Sequence, residues 1–325
     1  MKTENIVRKL KEYDSWTILC HEKPDGDTLG CALALFSLGK RMKKKVVSGG
    51  RDAVPDKYLF LPYSGEYRQL SANDVLPESL LIVVDTSTKN RSIEGLETIL
   101  PLHDSVAMDH HVDNEKFCKI NLVCPEASAS AEIVAELMHD NFDISVDEAV
   151  CLYTALATDN GSFRFSSVTQ RSHEIARILM QAGAKPNEID SCLNESMTHE
   201  ALKLWGRAME GSELFADGTA AMLHLSASDF EELHSAPSVT ENLVNQLLRI
   251  KGVKIALFVS EFDGTLKLSV RTKQPYAARD IAAFYGGGGH DQAAGAKLCG
   301  SIDKVIAELK KQVTKYAEIG LSCNK

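Results

Sequence analysis

Short apolar runs alternate with longer helical stretches through the first half of the chain. Trp16-Thr17-Ile18-Leu19-Cys20, Lys44 to Val47, Leu80-Leu81-Ile82-Val83-Val84, Ser105-Val106-Ala107-Met108 and Lys119 to Val123 read as strands. Thr28 to Met42, Ala129 to Met138 and Asp147 to Ala157 read as helices, and an amphipathic helix opens the chain. Strands that are apolar throughout rather than at every second position must be covered on both faces, which predicts a parallel sheet layered between helices. In such sheets ligands gather at the carboxyl ends of the strands.

The pattern changes after this point. Pro186 to Glu210 is helical and polar with no strand signal and reads as a connector. A second set of elements follows: a strand from Gly218 to Leu225, a helix from Val239 to Ile250, and a hairpin from Val253 to Lys273 turning at Asp263-Gly264. A helix from Arg279 to Tyr285 then runs into four glycines and His290, before a strand from Ala294 to Leu298 and a closing helix from Ile302 to Ile319. The expected fold class is α/β, with a parallel-sheet domain over residues 1–185, a helical connector over 186–210, and a smaller mixed α/β domain over 211–325. The active cleft is expected between the two domains.

At 325 residues the chain suits two domains, and 44% hydrophobic content is enough for a sizeable core. The net charge of −9 argues against gripping long duplex nucleic acid, which needs a broad basic surface to displace counterions. Short single strands held by a few cations in a cleft remain compatible with it. The eight cysteines form no C-x-x-C pair and mostly sit among apolar residues, which disfavours zinc-finger and thiol-redox readings. Met1-Lys2-Thr3-Glu4-Asn5 lacks the apolar segment of a signal peptide, and no run is long enough to span a bilayer. The expected setting is the reducing cytoplasm, away from membranes.

Carboxylates and imidazoles end four of the apolar elements. His21-x3-Asp25-x-Asp27 follows the first strand, and Asp85 closes the Leu80–Val84 run. Asp109-His110-His111 closes the next, and Asp159 ends the helical run over 149–157. Capping of the helix that starts at Thr28 would explain Asp27 alone, leaving His21 and Asp25 without a purpose. Asp85 could open an Asx turn, and Asp159 could be a turn residue. Taken together, the oxygen-rich set with imidazoles suits Mn²⁺ or Mg²⁺ better than structural zinc. It is large enough for two ions about 3.5–4 Å apart sharing a carboxylate. Such a pair activates water and stabilises charge on an attacked phosphorus, which points to phosphoester hydrolysis.

The glycine run is the other candidate. Gly286 to Gly289 lack side chains, so their backbone N–H groups can approach an anion, with His290 beside it as a donor. Arg271 and Lys273 on the preceding strand could add charge there, although Lys273 could equally be a solvated edge residue. His103, His139, His173, His199, His224 and His234 occur singly and receive no role.

The motifs His21-x3-Asp25-x-Asp27, Val84-Asp85, Asp109-His110-His111 and Asp159 resemble, in order, those of the DHH phosphoesterase family. Gly286-Gly287-Gly288-Gly289-His290 resembles the signature of the C-terminal subdomain that accompanies one branch of it. Thr158-Asp159-Asn160-Gly161-Ser162-Phe163-Arg164 is similar to a stretch of the nano-RNase and 3′-phosphoadenosine 5′-phosphate (pAp) phosphatase subgroup. The resemblance implies that His21, Asp25 and Asp85 hold one Mn²⁺ while Asp27, Asp85, His110 and Asp159 hold the other, with Mg²⁺ an alternative metal. It further implies that His111 contacts substrate, that Asp109 orients the histidines, and that Arg271, Lys273, Gly287, Gly288, Gly289 and His290 seat its phosphates.

The implied function is an Mn²⁺-dependent phosphoesterase in which hydroxide bridging the metals attacks short oligonucleotides, and pAp as a second substrate. Competing readings are a stand-alone linear or cyclic dinucleotide phosphodiesterase, a RecJ-like single-strand exonuclease, a family II pyrophosphatase, and a non-enzymatic nucleotide-binding regulator. The four-glycine loop disfavours the pyrophosphatase, and the intact set of ligand positions disfavours the regulator. The sequence leaves room for a homodimer.

Overall fold

The computed structural model describes residues 2–195, 197–240, 242–289 and 291–322. The chain divides into two compact units, Met1–Ser196 and Met197–Lys325.

The first unit runs α1 (Lys2–Glu12), β1 (Ser15–Leu19), α2 (Gly26–Arg41), β2 (Lys45–Gly50), β3 (Arg68–Gln69), β4 (Leu80–Val84), α3 (Leu96–Ile99), β5 (Ser105–Asp109), β6 (Ile120–Val123), α4 (Ser130–Asn141), α5 (Val146–Asp159), α6 (Gln170–Gln181) and α7 (Pro186–Asn194). Its strands form a parallel sheet in the order β3-β2-β1-β4-β5-β6. The unbroken apolar character of the strands has the expected cause. Trp16, Ile18, Leu80, Ile82 and Val84 face the large core built with α2, α4 and α5. Leu19, Leu81, Val83 and Ala107 face a second core with Leu96 of α3. Thr17, buried among them, is satisfied by Ser79 at 2.9 Å. The strand order reverses direction between β1 and β4, and at such a switch point the loops leaving two neighbouring strands diverge to opposite faces and open a crevice.

The second unit contains α8 (His199–Glu210), β7 (Glu213–Phe215), β8 (Ala220–Leu225), α9 (Ala227–Glu232), β9 (Ile255–Phe262), β10 (Thr265–Thr272), α10 (Ala278–Ala283), β11 (Gly288–Gly289), β12 (Ala293–Leu298) and α11 (Ile302–Ser322). Its sheet, β11-β12-β10-β9-β8-β7, is mixed: β8 and β9 pair in parallel and the other pairs are antiparallel. The α/β expectation therefore holds in both units.

Two local expectations are corrected, the helix over 239–250 and the glycine run. The stretch from Val239 to Ile250 is not an α-helix. It forms two 3-10 segments, Pro237–Thr240 and Leu243–Arg249, the second starting after Asn242, whose left-handed backbone at φ 66° breaks helical continuity. The 186–210 segment contains α7 and α8, with Ile189 buried in the first unit's core and Leu204 in the second's. The glycine run is not purely loop, since Gly288 and Gly289 pair with Gly295 and Ala294 as an edge strand.

Candidate metal centre

The switch point between β1 and β4 carries the site. The loop after β1 supplies His21 and Asp25, the first turn of α2 supplies Asp27, and Asp85 follows β4 directly. Asp109 to His111 leave β5, and Asp159 ends α5.

Three groups form, each with its candidate ligand atoms within 4.8 Å of one another: His21/Asp25/Asp85, Asp27/His110/Asp159, and Asp85/His110/His111. Asp85 joins the first group to the rest. Its Oδ2 lies 3.4 Å from His21 Nε2, and its Oδ1 lies 3.6 Å from His110 Nε2. It is only 2% exposed and sits at a left-handed φ of 50°, a conformation that Asp tolerates better than most residues and that turns the chain sharply off the strand end.

The histidines fix the electrostatics. His21 Nδ1 lies 2.7 Å from the Glu22 carbonyl and His110 Nδ1 lies 3.2 Å from the Ala127 carbonyl. A carbonyl can only accept, so each Nδ1 carries the proton and each Nε2 faces carboxylates. His110 Nε2 is 3.4 Å from Asp159 Oδ2 and 4.0 Å from Asp27 Oδ2. A neutral imidazole would aim a lone pair at negative oxygen, an arrangement favourable only with a proton or a cation between them. Burial alone would lower the His21 pKa, but its bonds to Asp25 and Asp85 raise it to about 10. Asp27 is pushed well above the carboxylate range, first by burial and then by the charges of Asp85, Asp159 and Asp25. Burial likewise lifts Asp159 to about 7, with His110 opposing. Four carboxylates meet here, and no Lys or Arg forms an ion pair with them among the described residues. The donor set therefore fits hard divalent cations, which would neutralise this charge and accept each Nε2 lone pair.

Asp109 plays a different part. Fully buried, its Oδ1 accepts from the His110 N–H (2.8 Å), the His111 N–H (3.2 Å) and His111 Nδ1 (2.7 Å), and its Oδ2 accepts from Asn114 Nδ2. Burial would raise its pKa, but these donors, His111 foremost, hold it below the usual range. The same bond lifts His111 to about 9. With Nδ1 held by Asp109, only Nε2 of His111 remains for a ligand or substrate.

Asp27 is a cap, though not of the helix that contains it. Asp25 caps α2, accepting from Asp27 N at 3.0 Å and Thr28 N at 3.2 Å. Asp27 instead reaches across the fold, where Oδ2 accepts from Ser130 N at 2.6 Å and Oδ1 from Ala131 N at 3.0 Å. Ser130 Oγ also donates to Asp85 Oδ1 at 2.9 Å. Neither Ser130 nor Asn114 was legible as part of the site. The small-residue start of α4, Ser128-Ala129-Ser130, is the only trace, and alone it reads as an ordinary helix entry.

The remaining predicted residues lie in the second unit. The antiparallel register puts Arg271 opposite Ala293 and Gly288 opposite Gly295, which shares a face with Ala293. Ser269, Arg271, Ala293, Gly295 and Gly288 thus lie on the half-exposed face of the sheet, opposite the core face of Leu268, Val270, Ala294 and Ala296. Packing explains two of the glycines: a Cβ on Gly287 would lie 2.2 Å from Gly295 O, and one on Gly289 2.5 Å from Ala293 O. Gly288 has no such neighbour within 4 Å. Arg271 Nη1 donates to Val270 O at 3.0 Å, and Lys273 Nζ donates to Leu248 O. His290 lies outside the described residues.

Residues 15–156 match the DHH family, N-terminal domain, and residues 228–318 match the DHHA1 domain. The chain thus carries a DHH-family domain followed by a DHHA1 domain and is a hydrolase of phosphoester bonds. Among its curated relatives are two named bifunctional oligoribonuclease and PAP phosphatase NrnA. That of Thermus thermophilus is 26% identical over 306 residues, covering 92% of this chain and 90% of the relative. That of Bacillus subtilis is 26% identical over 318 residues, covering 95% and 98%. An exopolyphosphatase-related protein from Bacteroides fragilis shares the fold at a TM-score of 0.88 and 24% identity, over 98% of this chain and 97% of that one.

Proposed function

We propose that this protein hydrolyses short oligoribonucleotides from an end and removes a phosphate from pAp, using two divalent cations, Mn²⁺ first among them. The observation that carries the reading is Asp85, whose two oxygens face separate histidines at the switch point of the sheet. His21, Asp25 and Asp85 would hold one ion, and Asp27, Asp85, His110 and Asp159 the other. Bound there, the ions would supply Lewis-acid stabilisation of phosphoryl charge and a water of lowered pKa.

The chain's own residues do the rest. Asp109 orients His111 so that Nε2–H can donate to a phosphoryl or leaving-group oxygen, a role supported by its raised pKa of about 9. Within the second unit, Arg271 on β10 and Gly288 on the edge strand β11 share one face of the sheet and are the candidate contacts for a substrate phosphate. Relatives named for oligoribonuclease and PAP phosphatase activity support the substrate class. No helix among the described residues is long and apolar enough to cross a membrane, and the free thiols of Cys20, Cys31, Cys118 and Cys151 are buried, in keeping with a cytoplasmic setting.

The test is incubation with Mn²⁺ and a panel of pAp, RNA of about two to ten nucleotides, single-stranded DNA, cyclic dinucleotides and pyrophosphate. Release of AMP from pAp and mononucleotides from short RNA is expected. Turnover confined to cyclic dinucleotides or pyrophosphate would overturn the reading.

A further inference from the structure

We infer that Ser130 is a positioning residue that sets the geometry of both buried carboxylates, and that a buried polar clamp on α4 holds it in place. This rests on the metal-dependent reading above.

Asp27 and Ser130 are far apart in sequence, yet the Asp27 carboxylate straddles the first turn of α4. The first amides of a helix have no partner within it and carry the positive end of its dipole. Ser130 N and Ala131 N are two of these, and each takes one oxygen of Asp27. Both oxygens are thereby fixed in direction: Oδ1 also accepts from Cys31 Sγ at 3.5 Å, and Oδ2, which faces His110, keeps a lone pair for a cation.

The Ser130 side chain does the same for Asp85. Its Oγ donates to Oδ1, the oxygen that faces His110, and so leaves Oδ2 turned toward His21. Rotation of that carboxylate would break the division of its two oxygens between two groups of ligands. One serine therefore couples, through its amide and its hydroxyl, the two most buried aspartates among the candidate metal ligands, Asp27 at 1% and Asp85 at 2% exposure.

The turn bearing Ser130 is itself fastened. Glu132, fully buried, accepts at Oε1 from Ser128 N (3.2 Å), Ser128 Oγ (2.6 Å) and Ser172 Oγ of α6 (2.6 Å). Its Oε2 lies 3.7 Å from Arg171 Nε, without a closer donor. A carboxylate is costly to bury, and it persists here where three donors converge on one oxygen. None of these groups is a candidate metal ligand. Their placement fits a brace for the α4 turn, which would hold Ser130 against Asp27 and Asp85.

The experiment is Ser130→Ala, which keeps the backbone amides and deletes only the hydroxyl. Mn²⁺ is titrated calorimetrically into the metal-free protein, and thermal unfolding is followed in chelator. An unchanged melting temperature in chelator with about ten- to a hundredfold weaker Mn²⁺ binding is expected, the range typical when a residue behind a ligand is lost. With pAp, kcat at subsaturating Mn²⁺ should fall and recover as Mn²⁺ is raised, with KM little changed. Equal Mn²⁺ affinity in Ser130→Ala and the natural protein would overturn the inference. So would a lower melting temperature with unaltered affinity. Failure of the natural protein itself to bind Mn²⁺ would instead defeat the metal reading. Were Ser130→Ala to misfold, Ser130→Cys, of similar size but a weak donor, gives the same comparison with the same outcomes.

Discussion

The two glycines Gly287 and Gly288 are adjacent and should answer the same substitution in opposite ways. A Cβ on Gly287 would meet the backbone oxygen of Gly295 at 2.2 Å and the Ala296 side chain at 2.6 Å. Backbone on the paired strand cannot swing aside as a side-chain tip can, so β11 would have to separate from β12. Overpacking of this kind costs about 1–3 kcal/mol. At Gly288 a Cβ meets nothing within 4 Å, and its backbone is not left-handed. Gly288→Ala should therefore leave stability unchanged, or raise it by about 0.4–1 kcal/mol through the lower entropy of the unfolded chain. If a phosphate lies against that backbone, however, the methyl group stands where the anion belongs. Loss of one charge-assisted hydrogen bond is worth roughly 1.5–3 kcal/mol, so KM for pAp should rise about ten- to a hundredfold. Urea unfolding and steady-state kinetics on the two variants separate the effects. A Gly288→Ala enzyme with the natural KM would refute the anion seat, and a fully stable Gly287→Ala would refute the packing argument.

Other expectations concern the metal centre, the first unit's stability and the long-range charge. Asp85→Ala should abolish turnover even at saturating Mn²⁺ and leave fewer ions bound per chain by calorimetry; near-natural hydrolysis would sink the shared-ligand assignment. Arg271→Ala should mainly raise KM, whereas Asp27→Ala should weaken Mn²⁺ binding and lower kcat together. Asp104 is bonded to Lys9 at 2.6 Å, Tyr13 at 2.8 Å and Lys119 at 3.0 Å, and these donors, Lys9 foremost, hold its carboxyl below the usual range. A depressed carboxyl stabilises the fold above its unfolded pKa of about 3.9 and loses that contribution as pH falls further. Asp104→Asn should thus cost roughly 1–2 kcal/mol at neutral pH, discounted for partial exposure, and show a shallower loss of stability below pH 4 in acid titration by circular dichroism. With a net charge of −9, filter binding should detect no tight, steeply salt-dependent grip on long duplex DNA.

The sequence was most readable where one residue type serves one periodic element. Buried parallel strands show as unbroken apolar runs because both faces are covered, and several candidate ligands sit where such a run stops. Asp85 after Val84 and Asp109 after Met108 needed no knowledge of topology to find. The 237–249 stretch misled because its apolar spacing fits a helix, whereas the left-handed Asn242 decides otherwise and leaves no mark in hydrophobic periodicity.

What stayed hidden was the role of residues that act through distance. As a helix start, Asp27 reads as a local cap, and the local candidate was the wrong helix: Asp25 caps α2, while Asp27 caps α4. No spacing rule links an aspartate to a serine 103 residues later. Only the strand order, which sets β1 beside β4 and β4 beside β5, brings the start of α4 over the loop after β1. Local pattern thus names the groups that carry charge, and topology decides which neutral donors hold them. Ser130 and Asn114 belong to the second class. For that reason, substitutions at them distinguish a site that is merely composed of the right residues from one whose residues are held in working positions.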